Sequence, residues 1–572
     1  MVADSCPAAA PVSEGGAASP WNSSPMPETD SLQGRVPRGR PDRERLAVSW
    51  AKVAATGLVS RLTGLLREVF LAARFGVSGT MDAYYVATMV VAVISTAVGG
   101  TLQASFIAIY SRLVGQGRKD KAASLNSLVL VAVTVVAASA ALGAAIAAAP
   151  LVATLAPGLA PTDARTAASL LRLLAVIAVL GTVDFWSTSL LQSHGVFGAP
   201  AGVGIPRNLI LVGAAAGLAG LAGVWGLAWA TVLAYFAASF WLGCLAFRAS
   251  RPARPRLASE KPELAAAARL AWPMVLAGVA RQAGAILAQF LASRLGAGSI
   301  SAITYGARLA SIPTGLLGVG VASVLYPTLA REVGAGDRDR AFDLVRRGWI
   351  GTALVLAPFG VLLAVLSVPA VQLVYGRGAF GAEAVRLTAS ATALYALGIV
   401  PMGWQLLSAR AFYALGDSLT PMRTTLAAVA VNALVALTTT PLLGVGGVAL
   451  GNAAGSVFMA TALSLQLVRR FGRPAGRAFW QSLGKLALAC LAGLGTASTL
   501  SWLAARGGFA LGEAATGGAL MALLAVGLYS GAFLVGYTAV VFGLKIPEAA
   551  QAWRSLVGRP RRGRPDRRRP AE

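Results

Sequence analysis

The sequence predicts an all-α polytopic membrane protein: about fourteen transmembrane helices, built as two pseudo-symmetric six-helix lobes plus two C-terminal helices. Three observations carry the expectation. The 572 residues are 56% hydrophobic and 13% charged, with mean hydropathy +0.67, a composition that water-soluble globules do not show. Lys and Arg gather in alternate short turns and in the two tails, which is the positive-inside pattern of a bacterial-type inner-membrane protein. A charged apolar stretch near the start, GLVSRLTGLLREVFLAARFGVSGTMDAYYVAT, recurs further along as VARQAGAILAQFLASRLGAGSISAITYG.

Residues 1–45 are rich in Pro, Ser, Gly and Ala, then basic; without an apolar signal-peptide core they read as a disordered cytoplasmic tail. The first lobe covers 46–247. Its spans run from about Leu46 to Phe75, Asp82 to Leu113, Leu125 to Leu155 and Ala167 to Ser193. Two more fill Arg207 to Phe247 and divide near Gly220 and Gly223. The Pro-rich, basic segment 248–263 is a cytoplasmic linker. The second lobe, 264–468, opens with spans from Leu264 to Leu295 and from Ser299 to Glu332, and its ninth span of the chain ends at YGRGAF. Asp417 followed by Thr420 and Pro421 marks a helix start, with Asp or Ser capping and proline in the first turn. A basic turn at 469–477, a helix pair over 478–542 and a basic cytoplasmic tail at 543–572 complete the chain.

The repeated stretch is where chemistry is expected. Charges at membrane depth cost on the order of 2.5–3.5 kcal/mol each, so they face protein or water. Helical spacing puts Gly57, Arg61, Gly64 and Glu68 on one stripe and Ser60, Thr63, Arg67 and Arg74 on the next, about 100° round. Arg74 can snorkel from a helix end, whereas Arg61 and Arg67 have apolar residues on both sides and suit a cavity wall. In the second copy, aligned without gaps, Arg61, Gly64, Arg74, Gly76 and Tyr85 meet Arg281, Gly284, Arg294, Gly296 and Tyr305. Arg281 therefore joins the cavity candidates. Asp184, alone in the fourth span, reads equally as a coupling site or a hydrogen-bonded structural acid.

Several short pieces add to these: SRLTGLLRE with TMDAYYVA, Pro206-Arg207-Asn208, YGARLASIPTGLLGVGVASVLYPTLARE, VYGRGAF and RAFYALGDSLTP. In order and spacing the chain resembles the MurJ/MviN family of lipid II flippases, in the multidrug/oligosaccharidyl-lipid/polysaccharide exporter superfamily. The resemblance implies a two-lobed, alternating-access transporter that moves undecaprenyl-pyrophosphate-linked peptidoglycan precursor from the cytoplasmic to the periplasmic leaflet. It implies cavity roles for Arg61, Arg67 and Asp82 on the first two helices and for Arg308 on the eighth. The chain departs from the family at Ser95, Thr96, Gly100 and Ser311, which stand where charges are usual.

The chemistry agrees on other grounds. A guanidinium stays charged and offers a planar fork of donors to phosphate oxygens. Glu68 and Asp82 would hold those arginines while the site is empty. The expected partners are a lipid-linked glycan, membrane lipids and cell-wall synthesis proteins, with the chain acting as a monomer. Despite a net charge of +26, no nucleic acid is expected, because the charge sits in turns and tails. Cys6, Cys244, Cys490 and the single His194 are too scattered for a disulfide framework or metal site, so no cofactor is expected. A membrane enzyme would need a long soluble loop or paired carboxylates, and neither is present in the sequence. Two other readings remain: a flippase for another polyprenyl-linked oligosaccharide, and a small-molecule antiporter of the same superfamily, which would favour buried acids over arginines.

Overall fold

In the computed structural model, residues 43–250, 282–320, 326–472, 476–506 and 519–546 are described. The tails, most of the 248–263 linker, and Arg281 lie outside them. The chain divides into Met1–Ser49 and Trp50–Glu572, and the helical bundle lies in the second unit.

Every described element is helical. The first half holds α1 (Arg43–Phe75), α2 (Gly79–Ser95) continuing through a π-helical turn into α3 (Thr101–Gly115), α4 (Lys119–Ile146) with α5 (Ala148–Leu155), α6 (Pro161–Leu174) with α7 (Val176–Ser193), the short α8 (Gly198–Gly202) and α9 (Gly204–Ala249). The second half holds α10 (282–293), α11 (Ser299–Gly320), α12 (Tyr326–Gly334), α13 (Arg338–Val365) with α14 (Ser367–Tyr375), α15 (Ala382–Ala396) with α16 (Ile399–Ala414), α17 (Leu419–Leu443) and α18 (Val445–Phe471). The last pair is α19 (Gly476–Arg506) and α20 (Ala519–Gly543). A helical segment stands at each of the fourteen expected places among the described residues. Eight are long and apolar enough to cross a membrane, or ten if each of two bent pairs is one span. This is a multi-pass membrane protein.

Local sequence explains the breaks. Within α9 the chain reverses at Gly223 (φ 55, ψ −129), and between α17 and α18 it reverses at Gly444 (φ 56, ψ −130). Such angles are strained for any residue with a Cβ. Three residues later, Gly226 and Gly447 pack directly on the backbone of the preceding helix. The two halves thus close their last hairpin with the same G-V-x-G turn. At α17 the capping question resolves in favour of the acid: Asp417 accepts from Thr420 N at 3.0 Å and Thr420 Oγ1 at 2.9 Å, while Ser418 makes no capping bond. Burial alone would raise the Asp417 carboxyl, but the Thr420 bonds and Arg470 at 2.9 Å outweigh it and hold it below the usual carboxylate range.

Packing distinguishes the two ends of the bundle. At one end, a single core runs through both halves, from Leu71, Tyr84 and Leu170 to Leu291, Tyr305 and Tyr375. At the other end the apolar side chains form two separate cores. One lies within the first half, around Phe106, Leu125 and Leu190; the other joins the second half to α19 and α20, around Trp349, Phe412 and Phe533. Among the described residues the halves are therefore joined at one end and parted at the other. The parted end carries the basic turns at Arg118 and Lys119 and at Arg338 and Arg340.

The joined end is sealed by paired contacts. Ala379 N donates to Ala73 O at 2.8 Å, and Gly158 N donates to Ser293 Oγ at 3.3 Å. A Cβ on Gly158 would fall on the Ser293 carbonyl, and one on Gly378 would fall on the Ala73 carbonyl. Each of these residues has its partner 220 positions away, Gly158 with Gly378 and Ala73 with Ser293, so one contact is the repeat image of the other. Tyr85 and Tyr305, also equivalent, meet edge to face with ring centres 5.9 Å apart. Equivalent residues touching each other is the signature of a two-fold relation.

Candidate functional site

Where the halves begin to part, the polar face of α1 meets the face of α11. Glu68 is buried at 3% exposure, and both of its oxygens are engaged. Arg67 Nη2 donates to Oε1 at 2.5 Å, Tyr85 Oη donates to Oε2 at 3.1 Å, and Arg308 Nε lies 3.7 Å from the same Oε1. The Arg67 side chain is 21% exposed and that of Arg308 is 56% exposed. One carboxylate thus serves two guanidiniums, which leaves the cluster with one unit of positive charge. Arg67 is the held member and Arg308 the loosely held one, because 3.7 Å exceeds hydrogen-bond range.

Helix α9 supplies the third wall. Asn208 accepts from Arg67 Nη1 at 3.3 Å, while its own Nδ2 donates to Ser60 O and Thr63 Oγ1, each at 3.3 Å. Gly64 makes room for it: a Cβ there would come within 3.4 Å of Asn208 Nδ2. The polar stripe read from α1 is thus partly a packing face for Asn208. Pro206-Arg207-Asn208 counts towards the family resemblance, but the sequence alone assigns Asn208 no role; its signal is a polar residue in an apolar helix beside a proline.

The other candidates separate. Arg61 is exposed, nearer the parted end, with its guanidinium against Gly315 of α11. Arg281 lies outside the described residues. Asp82 holds no arginine among the described contacts, contrary to expectation. Its two oxygens accept from Gly298 N and Ser301 N, both at 2.7 Å, at the start of α11. The first turn of a helix offers unpaired N–H groups, which a carboxylate satisfies. Asp82 is therefore part of the seal between the halves. Sequence spacing could not show this, because the acceptor and its donors lie more than 200 residues apart. Asp184 pairs with Arg207, the residue before Asn208. At the positions that depart from family charges, Ser95 donates to Val91 O and Ala178 O, and Thr96–Gly100 forms the π-helical turn. Ser311 is exposed beside Arg308 and donates to its carbonyl at 2.8 Å. Among the described residues no group of His, Cys, Asp and Glu could hold a metal ion.

A family model described as "Lipid II flippase MurJ" matches residues 71–512. The chain belongs to the lipid II flippase MurJ family. Among curated relatives, "Lipid II flippase MurJ" of Burkholderia cenocepacia is 27% identical over 438 residues, covering 73% of this chain and 83% of that protein. "Probable lipid II flippase MurJ" of Thermotoga maritima is 29% identical over 411 residues, covering 70% and 82%. In fold, the chain is similar to a solved "Lipid II flippase MurJ, inward closed conformation", with TM-score 0.72, 18% identity and coverage of 86% of this chain and 99% of that one. It is also similar to an inward-facing MATE-family multidrug transporter, with TM-score 0.60, 14% identity and coverage of 72% and 94%. Those likenesses show that the chain shares the fold of these two structures.

Proposed function

We propose that this protein translocates lipid II across a bacterial inner membrane by alternating access, with the parted, basic end cytoplasmic. The Arg67–Glu68–Arg308 cluster carries the reading. It sits between the halves, draws from both, and keeps one guanidinium uncompensated and half exposed. A pyrophosphate brings the negative charge and the acceptor oxygens that such a site lacks. Glu68 keeps the empty site tolerable, since an unpaired guanidinium at this depth is costly. Arriving cargo would take Arg308 first, while Arg67 stays on Glu68 and Asn208. Arg61, closer to the parted end, meets the anion on entry.

Two six-helix lobes, 46–247 and 264–468, move about this centre, and 478–542 packs as a pair on the second. Tails and linker lie in the cytoplasm, following the basic turns. To present cargo on the far side, the joined end must open and the parted end close, as repeat-built transporters do by rocking. That motion breaks the Asp82 bonds to α11 and both glycine–carbonyl contacts. The protein is a transporter rather than a catalyst, so its cargo leaves chemically unchanged.

The test is rescue of cells depleted of their own lipid II flippase. Growth is expected with the wild-type chain and not with Arg308→Ala. Failure of a correctly inserted wild-type chain to rescue contradicts lipid II as cargo. Cysteine labelling of intact cells checks orientation: labelling of the 248–263 linker from outside overturns it.

A further inference from the structure

The fourth and fifth segments of the first half hold an ion pair that cargo binding does not explain. Arg207 Nη2 donates to Asp184 Oδ2, and the Arg207 guanidinium lies over the Tyr235 ring, 4.3 Å from its centre. The pair is poorly satisfied. Asp184 Oδ1 and Arg207 Nε are buried with no hydrogen-bond partner. A buried pair with unfilled bonding positions is no more stable than well-packed apolar side chains of the same size. Stability therefore gives no reason for its presence.

Its place in the chain does. Arg207 is followed directly by Asn208, whose carboxamide holds Arg67. Neighbouring residues on a helix point about 100° apart, so Arg207 faces Asp184 inside the half while Asn208 faces α1. The backbone at this point is weakly tied. Pro206 has no N–H to give, and Arg207 N reaches Val203 O only at 3.4 Å. Side-chain tips stand about 5–6 Å from a helix axis, so a rotation of about 20° would carry the Asn208 amide about 2 Å. Its three bonds, each already 3.3 Å, would not survive that.

We propose that Asp184 and Arg207 are positioning residues for cargo: their ion pair fixes the rotation of the first turn of α9, and through Asn208 it fixes the Arg67 guanidinium. The proposal rests on the cargo site described above. The contiguous path runs Asp184, Arg207, Asn208, Arg67, Glu68, Arg308, and each step is a side-chain contact or a peptide bond. The hydrogen-bond partners of the Arg67 guanidinium among the described residues are Asn208 and Glu68.

The test is the double variant Asp184→Leu/Arg207→Met, purified full length and reconstituted in vesicles containing lipid II. Because both charges leave together, the thermal midpoint should equal or exceed that of the wild type. The half-saturating mole fraction of lipid II should rise about tenfold, the size of one charge-assisted hydrogen bond, with the maximal rate much less affected. Asn208→Leu should give the same shift, and the triple variant no further one, since all act on one path. Should the double variant fail to fold, Asp184→Glu/Arg207→Lys keeps both charges, and an intermediate shift supports the proposal. Wild-type half-saturation in a folded variant overturns it. Arg67→Ala separates the two levels: loss of transport there with no shift in the double variant overturns only the positioning pair. Wild-type transport in Arg67→Ala overturns the cargo site itself, and the positioning pair with it.

Discussion

The two halves share a scaffold and differ in charge. Gly64 faces Asn208 in the first half, and Gly284 faces Asn432 in the second, where a Cβ would come within 3.2 Å of Asn432 Nδ2. The same glycine–asparagine packing thus joins the first and fifth helices of each repeat. Beside it, Arg67 and Glu68 stand in the first half, and Leu287 and Ala288 at the equivalent places in the second. Tyr85 donates to Glu68, while its equivalent Tyr305 has no carboxylate to reach, because Ala288 is there instead. The repeat supplies two matching walls and a two-fold seal. The proposed anion site comes from breaking the match: one half brings Arg67 and Glu68, and the other answers with Arg308. A symmetric pair of clusters would put two carboxylates and more charge into one cavity, at a cost of several kcal/mol per ion.

Four sets of substitutions probe that contrast. The largest effect on stability is expected from Glu68→Ala, which strands Arg67 at low exposure and should cost about 3–5 kcal/mol; thermal unfolding in detergent reads it. Ala at the equivalent place in the second half is native, so charge and not position is what the variant tests. Next come Gly158→Ala and Gly378→Ala, which push a methyl into the seal and should each destabilise the joined end by about 1–3 kcal/mol. Being repeat images, they should shift the distance between labels on the two halves in the same direction, Gly378→Ala by more because its φ of +59° is strained for a residue with a Cβ. A large shift from one and none from the other would refute the two-fold relation at the seal.

Asn208→Ala and Asn432→Ala form the third comparison. Both remove the same packing and should lower stability by about 1 kcal/mol, yet only Asn208→Ala should weaken lipid II transport. The smallest effect belongs to the Asp417 cap, which the turn around Phe197 and Gly198 in the first half lacks. Its carboxyl is held low in the folded state, so its stabilisation is complete above the unfolded carboxylate pKa of about 3.9 and fades as pH falls through the folded value. Asp417→Asn keeps a capping oxygen and loses the charge facing Arg470, so it should cost about 0.5 kcal/mol near neutrality and flatten the acid limb of the stability–pH curve. An unchanged acid limb would count against the cap.

Most of the fold was legible because hydropathy and basic turns constrain helix number directly. The repeat was read from Val59 to Tyr85, where charged and glycine positions recur at a constant spacing that Gly158 and Gly378 still keep. Its later parts slip: Gly223 matches Gly444 at a spacing one residue longer, and Asn208 matches Asn432 at a spacing longer again. Gapless comparison loses them, though the backbone angles at the two glycines agree within a degree. At the site, Glu68 and the arginines stood out because charge is rare in spans. Asp82 stood out for the same reason, and its partners proved to be backbone N–H groups, which no side-chain pattern records. Arg207 read as a span boundary, since an arginine beside a proline resembles a helix end at the membrane surface.

Binding of the lipid II anion by an uncompensated guanidinium, supplied across the two halves, stands or falls at Arg308. The measurement is the initial rate of lipid II translocation in reconstituted vesicles for wild type, Arg308→Ala and Arg308→Lys at matched insertion. Being 56% exposed, Arg308 can be changed without disturbing the core. A rate about a hundredfold lower is expected for Ala, with a partial recovery for Lys, which keeps the charge and loses the fork. Wild-type rates for Arg308→Ala in a stably folded protein would rule out the guanidinium as the anion's anchor.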